Sequence, residues 1–205
     1  MIDVQDCDAR LPSSGDSEDL YLDELVRLSI LLGRVQKTIY KYVKLFWKST
    51  VVLTFCSPSG LNFTTDATLE SLLKDMQDWR EQLPDHLKLR GPDSPRTAGL
   101  LHLLYCCVSM MFWRVFMRIS YSCPAHLKFG LTVEQWSLLV QMTADAIDWL
   151  DANEGVYDVW LLVAYAATSC ALVQVCGLLV GFLRTLMSCS IIRALGGRMS
   201  RHKPS

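Results

Sequence analysis

Motifs that mark common enzyme classes are missing from this sequence. It contains no glycine-rich phosphate loop, no H-E-x-x-H zinc motif and no G-x-S-x-G nucleophile motif. The four histidines are scattered along the chain, at His86, His102, His126 and His202. We therefore predict that the chain is not an enzyme and that it contains no catalytic, cofactor-binding or metal-binding residues.

The eight cysteines lack the spacing of a metal site or a redox motif. No C-x-x-C is present, and Cys106 and Cys107 are adjacent in an apolar segment. In such a context a reduced cysteine behaves as a small hydrophobic side chain. We expect buried free thiols and, because the N-terminus lacks the features of a secretory signal, a reducing intracellular compartment.

A strong excess of positive charge is missing as well. The formal net charge is −1, so the chain as a whole lacks the electrostatic footprint of a nucleic-acid-binding protein. Acidic residues are concentrated before residue 25 and basic residues after residue 183. Asp145, Asp148 and Asp151 are spaced by three on a predicted helix with no histidine nearby, which indicates a solvated surface rather than a metal site.

Apolar sequence, by contrast, is abundant, since hydrophobic residues make up 51% of the chain. The segment Leu100–Ile119 has no charge before Arg114, and its apolar residues occur on every face of a helix. Ser94 and Pro95 are typical of a helix N-terminus, with Ser94 as the cap. The pattern predicts a buried central helix over residues 98–119.

Helical apolar stripes flank this segment. The second predicted helix begins at Asp66 and ends before Pro84, and another begins at a capping box formed by Thr132 and Gln135. The first stripe recurs at alternating steps of three and four residues, at Leu25, Leu28, Leu32, Val35 and Ile39. We therefore predict an all-α fold, an irregular bundle of about five to seven helices around the buried central helix.

Two segments leave alternatives open. Lys41–Ser57 places three lysines among aromatic residues before a β-branched run, which fits either a basic amphipathic helix at a membrane surface or an exposed strand. Val159–Leu183 is 25 residues without a charge, long enough to span a bilayer, and basic residues follow it. Its polar residues and two glycines fit a buried helix of a soluble protein equally well.

Six segments follow one another in an order that resembles that of a known family. They are an acidic lead-in ending at Leu11 and Pro12, a helix over 25–40, a W-x-x-x-L-P-x-x-L motif over 79–87, the central helix with Arg114 and Phe116, and two helices around 144–150 and 160–173. Together they resemble the fungal-specific transcription factor regulatory domain, also called the xylanolytic transcriptional activator regulatory domain. The resemblance covers roughly residues 1–40 and 58–174.

This resemblance implies an all-helical region from the middle of fungal activators that bind DNA through a separate six-cysteine zinc cluster. It implies a nuclear protein that modulates transcription through other regions of the same factor, through transcriptional regulators or through a small-molecule inducer. No such zinc cluster occurs in these 205 residues, so zinc and DNA would be bound only by a module outside them. We expect a fragment that begins inside the regulatory domain. The alternative is a single-span membrane protein anchored by residues 159–183.

Three individual side chains invite a functional reading. His102 lies on the apolar central helix, where a core histidine bonded to a backbone carbonyl is favoured over a metal ligand or a base. Arg114 and Arg118 lie one turn apart and resemble an anion site. We expect them instead to form ion pairs with carboxylates of a neighbouring helix.

The family-like region, residues 1–174, is interrupted at 41–57, and an apolar and then basic tail over 175–205 follows it. Our hypothesis is that both divergent stretches are non-homologous, such as retained introns or a misread exon boundary, because removing 41–57 would join Tyr40 to Pro58 by a short helix-to-loop connection. Sequencing the transcript is expected to yield messages without either stretch. Their retention in every clone would rule the hypothesis out.

Overall fold

The computed structural model describes residues 17–47, 50–117, 123–153, 155 and 163–178. Along the chain the elements are α1 (Ser17–Ile39), β1 (Lys41–Trp47), β2 (Thr50–Ser57), a 3₁₀ helix (Pro58–Phe63), α2 (Asp66–Gln82), a 3₁₀ turn (Asp85–Leu87), α3 (Arg96–Trp113), a second 3₁₀ helix (Arg114–Met117), α4 (Val133–Ala152) and α5 (Val163–Leu178). Among the side chains that the structure describes, helices supply nearly all of the buried apolar ones, and the two strands form a two-stranded sheet with each other. The predicted all-α bundle is confirmed.

The α3 helix is the central element of this bundle. Twelve of its 18 residues are buried, and because residues 103–109 are all buried in succession, α3 is enclosed on every side. After Trp113 the chain tightens into a 3₁₀ helix instead of continuing as the predicted α-helix, and residues 118 and 119 lie outside the described part of the chain. The prediction of a buried central helix is confirmed.

The predicted cap of α3 is wrong. Ser94 does not cap the helix: its hydroxyl accepts hydrogen bonds from the backbone N–H groups of Arg90 (2.9 Å) and Gly91 (3.1 Å), in the turn before it. Gly91 has a φ of 155°, which favours glycine, and this turn brings the two N–H groups to the serine. The N-cap position is Pro95, which makes no side-chain cap hydrogen bond.

The α3 and α4 helices come into close contact at Gly99. A Cβ atom at this position would overlap the indole ring of Trp149, which is fully buried. The indole N–H of Trp149 donates a hydrogen bond to the backbone carbonyl of Ser94 at 3.0 Å. Glycine therefore lets the two helices approach closely enough for one large side chain to fill the space between them.

The α1 helix packs along α3 through the predicted stripe, but two of the five stripe residues are less buried than the other three. Leu28, Val35 and Ile39 are fully buried, whereas Leu25 and Leu32 are only partly buried at the edge of the core. Just after α1, the Tyr40 hydroxyl donates a hydrogen bond to the backbone carbonyl of Met111 at 2.7 Å, which ties the end of α1 to α3.

The strands β1 and β2 pair as a two-stranded antiparallel hairpin. Lys41 pairs with Ser57 at its open end and Trp47 with Thr50 at its tip. Of the two alternatives for this segment, the backbone adopts the strand and not the amphipathic helix. The helical part of the chain stops at Tyr40 and resumes at Pro58, so the hairpin is an insertion between two helical elements.

Close packing brings the returning chain back onto α1. A Cβ atom on Gly60 would lie 2.5 Å from the carbonyl oxygen of Thr38, so only glycine fits there. The Thr64 hydroxyl donates to the same carbonyl at 3.1 Å. The end of α1 and the start of α2 are therefore held together independently of the hairpin.

The α4 helix begins at the predicted capping box. The Thr132 hydroxyl accepts from the Gln135 N–H at 3.3 Å, and the Gln135 side chain accepts from the Thr132 N–H at 3.0 Å. On the other side of α4, the Gln174 amide of α5 donates to the Val140 carbonyl at 2.7 Å and to the Thr143 hydroxyl at 2.8 Å. The inner face of α5 is apolar and fully or nearly fully buried: Val163, Ala166, Cys170 and Val173.

One described helix, Arg96–Met117, is long and apolar enough to cross a membrane by length and composition alone. Its most apolar window is 67% buried by the rest of the protein, as the core helix of a soluble bundle would be. The α5 helix, Val163–Leu178, is shorter than a typical span. The remainder of the predicted span, at 159–162 and 179–183, lies outside the described residues.

Replacing Gly99 by alanine is expected to destabilise the protein, because the added methyl group must displace the Trp149 indole. Overpacking of this kind typically lowers the free energy of unfolding by about 1–3 kcal/mol, which urea unfolding followed by circular dichroism would measure. Gly130→Ala is the matched control, since a Cβ there meets nothing within 4 Å. Equal midpoints for the two variants would show that the α3–α4 contact is not as close as described.

Candidate functional site

A cleft of about 420 Å³ opens between the end of α2, the turn that follows it, and the facing sides of α3 and α4. Its volume falls in the range of small-molecule pockets. The apolar lining consists of Trp79, Leu83, Leu87, Leu89, Leu138 and Met142. The polar lining consists of Arg80, Glu81, Lys88, His102, Tyr105, Gln141 and Asp145. We refer to this site as the cleft.

The end of α2 forms one wall of the cleft because the helix stops abruptly. Leu83 leaves the helical conformation, with a ψ of 132°, directly before Pro84. The chain then turns through Asp85–Leu87 and buries Leu87 almost completely, at 1% exposure. Trp79, Leu83 and Leu87, the apolar positions of the W-x-x-x-L-P-x-x-L motif, therefore all reach the same wall.

An aromatic pair forms the floor of the cleft. The rings of Trp79 and Tyr105 stack with their centroids 5.4 Å apart and their planes 18° from parallel. Trp79 is 8% exposed and anchors the end of α2 in the core. Its indole N–H is nevertheless buried without a hydrogen-bond partner among the described residues. A buried donor left unsatisfied costs about 1–3 kcal/mol. Burial also raises the pKa of Tyr105, so its hydroxyl stays protonated.

Arg80 lies beside this pair with an unusually weak partner. One of its guanidinium N–H groups donates to the thioether sulfur of Met142 at 3.0 Å. Sulfur of this kind is a poor acceptor, whereas a guanidinium carries five strong donors. Among the ion pairs of the described residues, none involves Arg80. Arg80 as a residue is half-buried.

His102 is the histidine of the cleft. Its Nε2–H donates to the backbone carbonyl of Met142 at 2.9 Å, as predicted for a core histidine. Burial lowers the pKa of His102 below its usual 6.5, and the nearby Arg80 acts in the same direction. The hydrogen bond to Met142 and the charge of Asp145 oppose that shift but do not cancel it. The imidazole is therefore neutral at pH 7.

The acidic side chains of the cleft already have partners or lie at its mouth. Asp145 accepts a hydrogen bond from the Gln141 amide at 2.8 Å, and both residues are exposed. Asp148 and Asp151 are exposed on the same side of α4, as predicted for a solvated surface. Within the described part of the chain, no group of three His, Cys, Asp or Glu side chains is placed to hold a metal ion.

The prediction for Arg114 is wrong. The side chain is exposed, and its guanidinium carbon lies 6.0 Å from the centroid of the Tyr40 ring, at the outer limit of a cation–π contact. The described ion pairs include no carboxylate partner for it. Arg118 lies outside the described residues. Arg114 is far along α3 from the cleft and takes no part in it.

The predicted free thiols are confirmed where the structure describes them. Cys106, Cys107 and Cys170 are buried free thiols, and Cys176 is a half-buried free thiol. Cys123 is half-buried, and its thiol donates to the Val115 carbonyl at 3.8 Å. Burial raises the pKa of Cys107 to about 12, so this thiol is protonated and unreactive at neutral pH. The remaining cysteines, Cys7, Cys56 and Cys189, have side chains outside the described set.

No family model, curated protein or solved structure matches this chain. The resemblance to the fungal regulatory domain therefore remains a prediction that rests on the order of its motifs.

Arg80 and Met142 were not singled out by the sequence patterns. Arg80 falls on the polar side of the α2 stripe, and the two residues are 62 positions apart. One signal was available: neighbouring helical residues point about 100° apart. A core-facing Trp79 therefore places Arg80 at the edge of the buried face, one turn before the helix ends at Pro84. Met142 faces that edge because of the way in which α4 packs against α2. No pattern within a few residues of Arg80 predicts this packing.

The neutral state of His102 predicts a pH dependence of stability. Its pKa is lower in the folded state, so the unfolded chain binds the proton first as the pH falls, and stability is lost below about pH 6.5. His102→Gln keeps a donor for the Met142 carbonyl but cannot titrate. We expect the free energy of unfolding to fall more between about pH 7.5 and about pH 5 in the wild type than in this variant.

The exposed His86 offers the control. His86→Gln should keep the pH profile of the wild type, measured by urea unfolding at each pH. If His102→Gln loses stability on acidification as steeply as the wild type does, the histidine is not held neutral by burial.

Proposed function

We propose that this chain is the regulatory, or middle, region of a fungal zinc-cluster transcription factor and that it modulates DNA-templated transcription in the nucleus. The observation that supports this proposal most is the position of the motif that carries the resemblance. Trp79, Leu83 and Leu87 line one wall of the cleft, directly against the central helix. In this proposal DNA and zinc are bound only by a zinc cluster outside these 205 residues.

A regulatory region must respond to something by changing its packing or its partners. Ligand binding shifts a conformational equilibrium only when the ligand contacts two states differently. The cleft lies where α2, α3 and α4 meet, so an occupant would contact the end of α2 and the central helix together. Other regions of the same factor, other transcriptional regulators and a small-molecule inducer are the proposed partners.

Binding fits the cleft better than catalysis does. The Nε2–H of its histidine is already committed to the Met142 carbonyl. Cys106, a thiol of the central helix, is 1% exposed, and a hydrogen bond to Cys170 together with burial raises its pKa well above the usual value. A nucleophile needs both access and an activating base. The proposal is therefore a non-enzymatic role.

A reporter assay tests this function. The chain would be inserted between a heterologous DNA-binding domain and an activation domain, and reporter output compared with that of the same fusion without the chain. We expect the chain to change the output and Gly99→Ala, which disturbs the α3–α4 contact, to abolish the change. Gly130→Ala should behave as the wild type. A folded chain that leaves the output unaltered would argue against a regulatory role.

A single-span membrane protein anchored by residues 159–183 is the second candidate. The outer face of α5 favours it, because four apolar side chains there are exposed: Tyr165, Leu172, Val175 and Leu178. Extraction of cell membranes with alkaline carbonate separates the two candidates. Release of the protein is expected for the nuclear regulator, and retention in the membrane pellet would favour the anchored protein.

A further inference from the structure

The cleft contains two donors whose partners are weak or missing, and they are adjacent in sequence. The indole N–H of Trp79 is buried without an acceptor among the described residues, and Arg80, a half-buried residue, donates to a thioether sulfur. Buried or partly buried donors of this strength are normally satisfied by oxygen acceptors. In the described part of the chain, neither donor has an oxygen acceptor.

The charges around Arg80 do not supply that oxygen. Glu81, the next residue on α2, lines the cleft and is exposed, and in the described part of the chain it forms no ion pair with Arg80. Asp145 on α4 accepts from Gln141, and Asp85 pairs with Lys88 at 3.4 Å and with Arg90 at 3.5 Å. His102 is neutral and Tyr105 is protonated. Among the described residues, Arg80 is thus the cation of the cleft that has no carboxylate partner.

The other walls define the body of such a ligand. The Trp79–Tyr105 stack, Leu87, Leu138 and Met142 present mainly aromatic and apolar surface. The carboxylates of Glu81 and Asp145 line the cleft. They would repel the second negative charge of a strongly anionic group such as a phosphate. A single carboxylate matches the planar fork of the guanidinium and adds only one charge.

We propose that the cleft binds a small organic acid with a flat apolar body, its carboxylate on the Arg80 guanidinium and its body between Trp79 and the α4 wall. This inference rests on the proposed function and adds to it the class of ligand that the same cleft would bind. Binding would replace the Arg80–Met142 contact by a charge-assisted pair and thereby couple the end of α2 to the ligand.

The test uses the full 205-residue chain and two probes of nearly equal shape, 1-naphthoate and its neutral counterpart 1-naphthamide, titrated by calorimetry. We expect one naphthoate per chain and naphthamide binding at least about 10-fold more weakly, since the loss of a hydrogen bond to a charged group typically costs 10- to 100-fold in affinity. Arg80→Gln should weaken naphthoate by about 10- to 100-fold and leave naphthamide unaffected.

Two further variants locate the site. Leu138 is 41% exposed on the α4 wall, so Leu138→Glu should fold while its carboxylate repels the naphthoate and abolishes its binding. Arg34, an exposed residue of α1 that pairs with Asp75 of α2 at the surface, gives the control Arg34→Gln, which should bind as the wild type does.

Three results would overturn the inference: no naphthoate binding to a folded wild-type chain, equal affinity for both probes, or no effect of Arg80→Gln. A chain that still alters reporter output in any of these cases would leave the proposed function intact and remove only the ligand class. A chain that binds naphthoate at Arg80 but leaves the reporter unchanged would leave the ligand class intact and argue against the proposed function.

Discussion

The α3 helix carries apolar side chains around its whole circumference, and the arrangement of the other helices follows from the need to keep water away from it. Burying one leucine or phenylalanine side chain contributes about 1.5–3 kcal/mol, whereas a whole domain is stable by only about 5–15 kcal/mol. Exposing one side of α3 would therefore remove most of the stability. α1, α2, α4 and α5 each contribute buried side chains to the cluster around it, and Gly99 allows the Trp149 indole of α4 to reach the helix surface.

The cleft is a consequence of the same packing. Trp79 anchors α2 to Tyr105 of the central helix, and Pro84 then ends α2 before it can cover the groove between α3 and α4. The residue next to the anchor, Arg80, is left at the edge of the core with a sulfur as its acceptor. A site built from a core anchor transmits what happens in it to the core, because the groups that would touch a ligand also hold the helices together. This is the physical basis of our proposal that the cleft is a regulatory site.

The features that were predictable from the sequence are those that depend on local patterns. The α1 and α2 stripes and the Thr132–Gln135 capping box follow from helical periodicity and from contacts within four residues, and the structure has them. The features that were missed depend on distant partners or on competition between them. Ser94 is used by the Gly91 turn instead of the helix, and Arg114 lies near the Tyr40 ring instead of a carboxylate. The His102 prediction succeeded because a histidine on an all-apolar helix has few acceptors other than a backbone carbonyl.

The central claim is that α3 is the buried core of a bundle that is stable in water. Hydrogen–deuterium exchange of the full chain in aqueous buffer without detergent tests it most directly, because amides in a core helix exchange only when the whole domain unfolds. The account predicts that peptides from Ala98–Trp113 are the most protected in the chain and that adding detergent micelles does not increase their protection. Rapid exchange of these peptides in buffer, with protection only in micelles, would contradict it and would identify α3 as a membrane helix.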